Sequence, residues 1–217
     1  MFKKLTDGEI QTILEAGIAE FAGNGPDKAN MHEIAKKSGV SVGVLYKYYA
    51  NKDDFFEACL RLCLAELNRV IAEVLACDDK ILVRAEKLIR ALQKSAKEHG
   101  SYHVLYHEIT AGSCKKYARA FANEIESISS GAYRAFLMQA QAEGVIRKDA
   151  DPRFFAFFFD NLLMMLQFSY SCDYYKERFQ IYCDDGVFSD DERVVGELLK
   201  FLESAFTVER SQISHRG

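Results

Sequence analysis

Apolar side chains recur at helical spacing along nearly the whole chain. Residues 7–23 show the pattern first, with apolar positions three or four apart, which is typical of one face of an α-helix. No segment alternates in the manner of a half-buried strand. We therefore predict an all-α protein of about nine helices. The later predicted segments are residues 30–39, 41–49, 53–76, 80–98, 101–111, 115–143, 152 to the low 180s, and 189–206.

Breaker and capping residues divide the first 50 positions into three helices. The stretch 23–26, Gly-Asn-Gly-Pro, predicts the end of the first helix. Asn30 stands three residues before Glu33, which is a capping-box spacing in which each side chain satisfies a free backbone donor. Gly39 ends the second helix, which is short, and Ser41 is expected to cap the third.

Two further caps are predicted in the second half of the chain. Asp151 precedes Pro152, so proline falls at the first helical position, where its missing donor costs nothing. The helix that follows is apolar nearly all round at its start, which predicts burial on several sides. Ser189 and Glu192 have capping-box spacing and are expected to open the last helix.

The most informative segment is residues 30–52, where two short helices flank Ser38-Gly39-Val40. This is the pattern of a helix-turn-helix, whose second helix enters the DNA major groove with its N-terminal residues at the base edges. Around that second helix stand hydrogen-bond donors suited to phosphates. They are Tyr46, Lys47, Tyr48 and Lys52.

A set of positions within this segment resembles the DNA-binding signature of the TetR family of transcriptional regulators. The resemblance covers roughly residues 7–56, and beyond them only the helical pattern and the total length are similar. The matching positions are Ile34-Ala35, Gly39-Val40-Ser41, Gly43, Leu45-Tyr46, Tyr49 and Asn51-Lys52.

The resemblance implies a helix-turn-helix domain at 1–52 and a ligand-binding and dimerisation domain at 53–217. It also implies a homodimer on a palindromic double-stranded DNA operator, acting as a repressor that a small molecule releases. Tyr46 and Lys52 would contact phosphates, and Tyr49 would be core. The residues expected at the DNA are Asn30, Met31, Ser41, Val42, Gly43, Tyr46, Lys47, Tyr48 and Lys52.

Charge changes this picture only locally. The net charge is −4, but residues 1–52 carry +1 and the remainder −5. DNA binding must therefore depend on the positions of individual charged residues rather than on a basic domain.

The N-terminus has no apolar signal segment, and the most apolar stretch, residues 154–168, is too short to span a bilayer. We expect a cytoplasmic protein without membrane contact.

The effector is expected to bind in the C-terminal domain, between the fourth and eighth helices. Asn161 follows Asp160 in an otherwise apolar run, and a polar group in such a setting needs a partner. Asn161 faces either a ligand or a neighbouring helix, and a structural role is favoured for Asp160. The candidate ligand-binding residues are Cys63, Leu67, Tyr106, His107, Phe121, Asn161 and Met165.

Metal binding, thiol chemistry and catalysis have weaker support in the sequence. His103 and His107 lie four residues apart near Glu108, so a metal sensor is an alternative, although we expect no metal and no cofactor. Cys59 and Cys63 share an apolar helix face and are expected to be buried thiols. No catalytic motif is present, so we expect no enzyme. The rival interpretation is an α-helical enzyme or small-molecule carrier whose helix-turn-helix is structural.

Overall fold

A computed structural model describes residues 4–77, 79–110 and 115–206. Within these residues the fold is all-α, as predicted, and no strand is present. A short 3-10 helix, Val187–Ser189, precedes the last α-helix. The α-helices are α1 (Asp7–Lys28), α2 (Met31–Lys37), α3 (Val42–Tyr48), α4 (Lys52–Leu75), α5 (Ile81–Glu98), α6 (Gly100–Thr110), α7 (Lys115–Ala142), α8 (Pro152–Ser171), α9 (Asp173–Cys183) and α10 (Asp191–Phe206).

The predicted stop at residues 23–26 is a break inside α1. Gly25 adopts φ 74° and ψ 161°, and the helical turn that Pro26 begins runs on to Lys28. A positive φ of this kind favours glycine, because a Cβ would clash with the backbone. The break turns the chain towards α2, which places the helix-turn-helix against the body of α1.

The caps of the two short helices differ from those predicted. Asn30 caps α2 by accepting a hydrogen bond from the backbone N–H of His32 at 2.9 Å. Its own backbone N–H, however, donates to Glu20 on α1 at 3.3 Å, so a residue distant in sequence supplies the acceptor expected of Glu33. Ser41 occupies the N-cap position of α3 but makes no side-chain cap bond, and that expected cap was wrong.

Two boundaries in the second half also differ. The helix expected to reach the low 180s ends at Ser171, and α9 begins at Asp173, which raises the described α-helices from about nine to ten. Cys172 between them is extended, with φ −109° and ψ 129°, although no proline or glycine marks the break. Asp190, rather than Ser189, caps α10 by accepting from the Arg193 N–H at 3.0 Å.

Two apolar cores fill the protein, and α4 takes part in both. Phe55 and Phe56 at its start pack with α1 in the first core, which continues into α6 and α8. Val70 and Ile71 near its end belong to the second core, between α5, α7, α8 and α10. The predicted domain boundary at residue 52 therefore falls at the first residue of the helix that connects the two cores.

A large apolar face of α8 and α10 is not covered by any of the described residues. The exposed side chains on this face are Phe154, Phe157, Phe158, Met165 and Phe201. Within the described ranges, no helix combines the length and the apolar character needed to cross a lipid bilayer.

Candidate DNA-binding surface and ligand chamber

Helix α3 is fixed by one side chain and presents the others outward. Leu45 is fully buried among α1, α2 and α4, and Val42 packs against the same core. Tyr46 is 49% exposed, and Lys47 and Tyr48 are also exposed. A single buried anchor flanked by polar side chains is the arrangement by which a recognition helix stays rigid while its outer face meets DNA.

The turn before α3 forms one wall of an open groove. Gly39, at φ 72°, lets the chain turn between α2 and α3, and the Val40 N–H donates to the Ala35 carbonyl at 3.0 Å. The Tyr48 hydroxyl accepts from the Leu5 N–H at 2.7 Å, which holds the N-terminal segment beside α3. The groove has a volume of about 580 Å³ and is lined by Lys4, Leu5, Gly39, Val40, Val44, Lys47 and Tyr48.

The structure places most of the predicted DNA-contacting residues on one surface and removes one of them. Ser41 and Gly43 are exposed at the start of α3, and Asn30 is exposed at the start of α2. A Cβ at Gly43 would meet nothing closer than the Ser41 hydroxyl at 3.8 Å. Met31, in contrast, is 5% exposed in the first core, so its side chain packs rather than reaching DNA, and that assignment was wrong.

Lys52 has an additional structural role that its motif position did not reveal. Its Nζ donates to the carbonyl of Asp27 at 2.7 Å and approaches the carbonyl of Ala29 at 3.4 Å. These carbonyls lie at the C-terminal end of α1, where a cation also meets the negative end of the helix dipole. Lys52 therefore holds the start of α4 against the end of α1.

Glu20 is the polar centre of the N-terminal domain. It is 5% exposed and accepts hydrogen bonds from the Asn24 amide at 2.9 Å, the Asn30 N–H at 3.3 Å and the Lys37 Nζ at 2.8 Å. The hydrogen bond from Lys37, aided by the Asn30 N–H, lowers the pKa of Glu20 despite its burial. This carboxylate joins α1 to both ends of α2.

Replacing Glu20 by glutamine is expected to lower the free energy of unfolding by about 1–2 kcal/mol at neutral pH, because the charge-assisted bond to half-exposed Lys37 weakens. The pKa of Glu20 is lower in the folded state, so its contribution is complete above the unfolded pKa of about 4.3. This contribution disappears as the pH falls through the pKa that Glu20 has in the folded state. Urea titrations at pH 7 and at about pH 3.5 should show that the stability advantage of the wild type shrinks in acid.

The control is Glu57→Gln, at a surface pair in which Glu57 lies 4.0 Å from Arg61. It should change the free energy of unfolding little. An acid-independent difference would contradict the assignment.

Three of the predicted ligand-binding residues meet at a small internal chamber. Cys63 and Leu67 on α4 and Tyr106 on α6 line it together. Its volume is about 10 Å³, which is room for one water-sized group. Polar groups also line the chamber, namely Glu66 on α4, Ser95 on α5, and Tyr102 and His103 on α6.

The other four candidate ligand residues lie elsewhere. His107 stacks edge-on against Phe168, with ring centroids 5.0 Å apart, and Phe121 is buried on α7. Asn161 and Met165 line an outer groove between α8 and α10. The Asn161 amide donates to the Phe157 carbonyl of its own helix at 2.7 Å, so its polar group is satisfied locally.

The two histidines proposed for a metal sensor occupy different environments. His103 is 3% exposed, and its Nε2 lies 3.1 Å from the Ser95 hydroxyl, whereas His107 packs between aromatic rings. In the ranges that the structure describes, no three His, Cys, Asp or Glu residues are grouped to hold a metal. Cys59 and Cys63 are buried free thiols, as predicted, and burial raises the pKa of both.

Several residues of the site had no strong sequence signal. Ser95 and Tyr102 are buried, but Lys94, Ser101 and His103 stand next to them in the chain, so no interruption of an apolar run marked either residue. Gln167, which lies between Leu166 and Phe168, does interrupt such a run. Asp160 is half-buried, and burial together with the nearby Glu126 carboxylate raises its pKa to about 6. It lies on α8, as does Gln167.

Comparison with known sequences identifies the N-terminal domain. Residues 13–59 match the family described as "Bacterial regulatory proteins, tetR family". Over 147 residues the chain is 27% identical to the "Probable acrEF/envCD operon repressor" of Escherichia coli strain K12. That alignment covers 65% of this chain and 66% of the relative, just under two thirds of its length.

Comparison with solved structures extends the likeness to the whole fold. The ketosteroid transcriptional regulator KstR2 of Mycobacterium tuberculosis superposes with a TM-score of 0.68 at 20% identity, over 95% of this chain and 98% of that one. The regulator FadR of Bacillus subtilis, solved with stearoyl-CoA, has a TM-score of 0.70 at 18% identity, over 91% and 99%. The helix-turn-helix residues and the matched region agree that residues 13–59 form a DNA-binding domain of the tetR family of bacterial regulatory proteins, and the whole chain shares the all-helical fold of these solved regulators.

Proposed function

We propose that the protein is a transcriptional repressor that binds operator DNA as a homodimer and releases it when a small molecule binds the C-terminal domain. The observation that carries this proposal is α3, anchored by Leu45 with Tyr46 and Lys47 exposed beside it. The name of the Escherichia coli relative, an operon repressor, supports repression as the sign of regulation.

The DNA contacts divide into base-facing and phosphate-facing groups. Ser41, Val42 and Gly43 begin α3 and offer a small, close-fitting surface, where a valine methyl can meet a thymine methyl. Tyr46 and Lys47 provide donors for phosphate oxygens. Lys52 has three N–H donors, of which the α1 carbonyls engage two, so the third remains for a phosphate.

The homodimer is proposed from the uncovered face of α8 and α10. Phe157 and Phe158 are 61% and 57% exposed in the single chain, and Phe158 lines a groove of about 400 Å³ between the two helices. A contiguous apolar patch of this kind marks an association surface. A second copy packed about a twofold axis would form a four-helix interface and would place two recognition helices in successive major grooves about 34 Å apart.

Communication between effector and DNA is proposed to run through α4 and through one interdomain hydrogen bond. Helix α4 contributes Phe55 to the core behind α3 and Cys63 to the chamber. Tyr102 on α6 also lines the chamber, and its hydroxyl donates to the Glu15 carboxylate on α1. A ligand that moves Tyr102 would therefore act directly on α1, and its binding energy would differ between the two arrangements.

The test is a gel-shift titration with the DNA upstream of the protein's own gene, followed by footprinting of the complex. Lys47→Ala is expected to weaken binding to every sequence and to reduce the slope of log K against log salt by about 2, because each protomer of the dimer loses one phosphate contact. Footprinting should show a protected palindrome.

The control variant is Lys94→Ala, which changes an exposed lysine on α5 in the C-terminal domain. It should leave both the affinity and the salt slope unchanged. Wild-type protein that gives no salt-dependent duplex binding at low salt would support the rival, in which the helix-turn-helix is structural. A change in sequence preference alone in the Lys47 variant would contradict the phosphate assignment.

A further inference from the structure

The groove beside α3 is lined by two parts of the chain that are distant in sequence. Lys4 and Leu5, in the segment before α1, line it together with Lys47 and Tyr48 of α3. Lys4 and Leu5 lie outside residues 13–59, the region that matches the family. A role of this segment in DNA binding is therefore not part of the helix-turn-helix match.

The backbone of the segment before α1 is held in place by several contacts. The Leu5 N–H donates to the Tyr48 hydroxyl at 2.7 Å, and the Leu5 side chain packs against the first core. The next residue, Thr6, accepts from the Glu9 N–H at 3.2 Å, and its own N–H donates to the Glu9 carboxylate at 2.7 Å. The Lys4 side chain therefore starts from a fixed position beside α3, and less backbone entropy is lost when it meets a partner.

The Tyr48 hydroxyl keeps its own proton for a second partner. A phenol hydroxyl can donate one hydrogen bond and also accept, and here the Leu5 N–H uses the oxygen as an acceptor. Within the described residues this hydroxyl donates to no acceptor. Tyr48 is exposed, so its O–H can donate to a group outside the protein.

The groove carries positive charge, and no carboxylate among the described residues lines it. Lys4 and Lys47 both line the groove. Lys4 is exposed, and in the ranges that the structure describes it forms no ion pair. The Glu9 carboxylate at the start of α1 accepts from the backbone N–H and the hydroxyl of Thr6. Two ammonium groups and one hydroxyl donor around an open groove of about 580 Å³ suit a phosphate of the DNA backbone.

We infer that Lys4 is a further DNA-contacting residue, whose ammonium pairs with a backbone phosphate at the half-site that α3 reads, and that Tyr48 positions Lys4 through the Leu5 N–H. This inference rests on the proposed function and adds to it a contact from outside the helix-turn-helix. The phosphate would lie in the groove and would also accept from the Tyr48 hydroxyl. Because phosphates carry no sequence information, the contact would raise the affinity for every duplex.

The first experiment measures how Lys4→Ala changes the salt dependence of DNA binding. Gel shifts of the full-length protein use the upstream DNA and a random duplex of equal length, each at salt concentrations from about 50 to about 200 mM. Each protomer loses one phosphate contact, so the slope of log K against log salt should fall by about 2. Binding to both duplexes should weaken at least about tenfold at the lowest salt concentration.

Two controls accompany this experiment. Lys4→Arg keeps the positive charge and should retain the wild-type salt slope, since the guanidinium also pairs with phosphate. Lys94→Ala removes an exposed lysine on α5 and should change neither the affinity nor the slope.

The second experiment tests the positioning role of Tyr48 with a double-mutant cycle. Tyr48→Phe keeps the ring but removes the acceptor of the Leu5 N–H. The segment before α1 is then no longer held at α3, so Lys4→Ala should weaken binding at most about half as much, on a logarithmic scale, as it does in the wild type. Tyr46→Phe, the same substitution at another exposed tyrosine of α3, is the matched control and should leave the effect of Lys4→Ala unchanged. Circular dichroism checks that each variant remains helical.

An unchanged salt slope in Lys4→Ala, or a loss of affinity confined to the upstream DNA, would overturn the phosphate contact. Additive effects of Lys4→Ala and Tyr48→Phe would overturn the positioning by Tyr48. Both failures would leave the proposed function intact, because the wild type would still bind DNA. Wild-type protein without salt-dependent duplex binding would contradict the proposed function itself and this inference with it.

Discussion

Replacing Phe158 by glutamate is expected to convert the proposed homodimer to monomers at micromolar concentration. Burial of a phenylalanine contributes about 1.5–3 kcal/mol, and a twofold interface loses this contribution twice. The dissociation constant should therefore rise by at least about 100-fold. Phe158 is 57% exposed in the single chain and lines the groove between α8 and α10, so the substitution leaves the core of the protomer intact.

Sedimentation velocity measures the change directly, and far-ultraviolet circular dichroism checks that the helices remain. Val83→Glu, at an exposed apolar residue on α5, is the matched control and should remain dimeric. Operator affinity should fall together with dimerisation, because a monomer engages only one half-site. A Phe158→Glu protein that stays dimeric with wild-type affinity would show that another surface forms the interface.

Gly17→Ala is expected to destabilise the N-terminal domain by about 1–3 kcal/mol, the usual cost of overpacking a core. A Cβ at Gly17 would lie 2.5 Å from two ring carbons of Phe55 and 2.8 Å from Cys59 Sγ. Neither neighbour has room to move, since both are fully buried and the Phe55 ring packs against Tyr49 at a centroid distance of 4.8 Å. The higher helix propensity of alanine, about 1 kcal/mol, offsets only part of this.

The same substitution at Gly23 should have the opposite effect on stability. A Cβ at Gly23, also within α1, would meet no atom within 4 Å, so Gly23→Ala is expected to stabilise the protein by about 0.5–1 kcal/mol. Chemical denaturation of the two variants measures both changes. Gly17→Ala should also weaken operator binding, because α1 would be displaced from α4. Equal stability of the two variants would show that the core around Phe55 relaxes easily.

The helix-turn-helix was predictable because its signals are local. The turn depends on the positive φ that Gly39 allows, and the start of α2 depends on an Asn30 bond to a residue two positions away. Interactions of this range repeat wherever the same residues occur at the same spacing. The break at 23–26 and the start of α8 at Pro152, which Asp151 caps, were predicted for the same reason.

The small chamber between α4, α5 and α6 was only partly predictable, because it depends on which helix faces meet. Cys63, Leu67 and Tyr106 were expected together and do line one chamber. Asn161, which is a polar break in the apolar run of α8, and Met165 were predicted with them, yet they lie at the outer groove. Helical periodicity identifies an apolar face but does not identify the element that covers it.

Sequence alone determined that this chain is helical, where most of its helices begin, and that α2 and α3 form a DNA-reading motif. Only the tertiary structure decided that Met31 is buried and that Glu20 rather than Glu33 accepts the Asn30 N–H. The physical reason is the range of the interactions. Caps and turns form between residues a few positions apart, whereas burial and the partners of buried polar groups are set by side chains that only packing brings together.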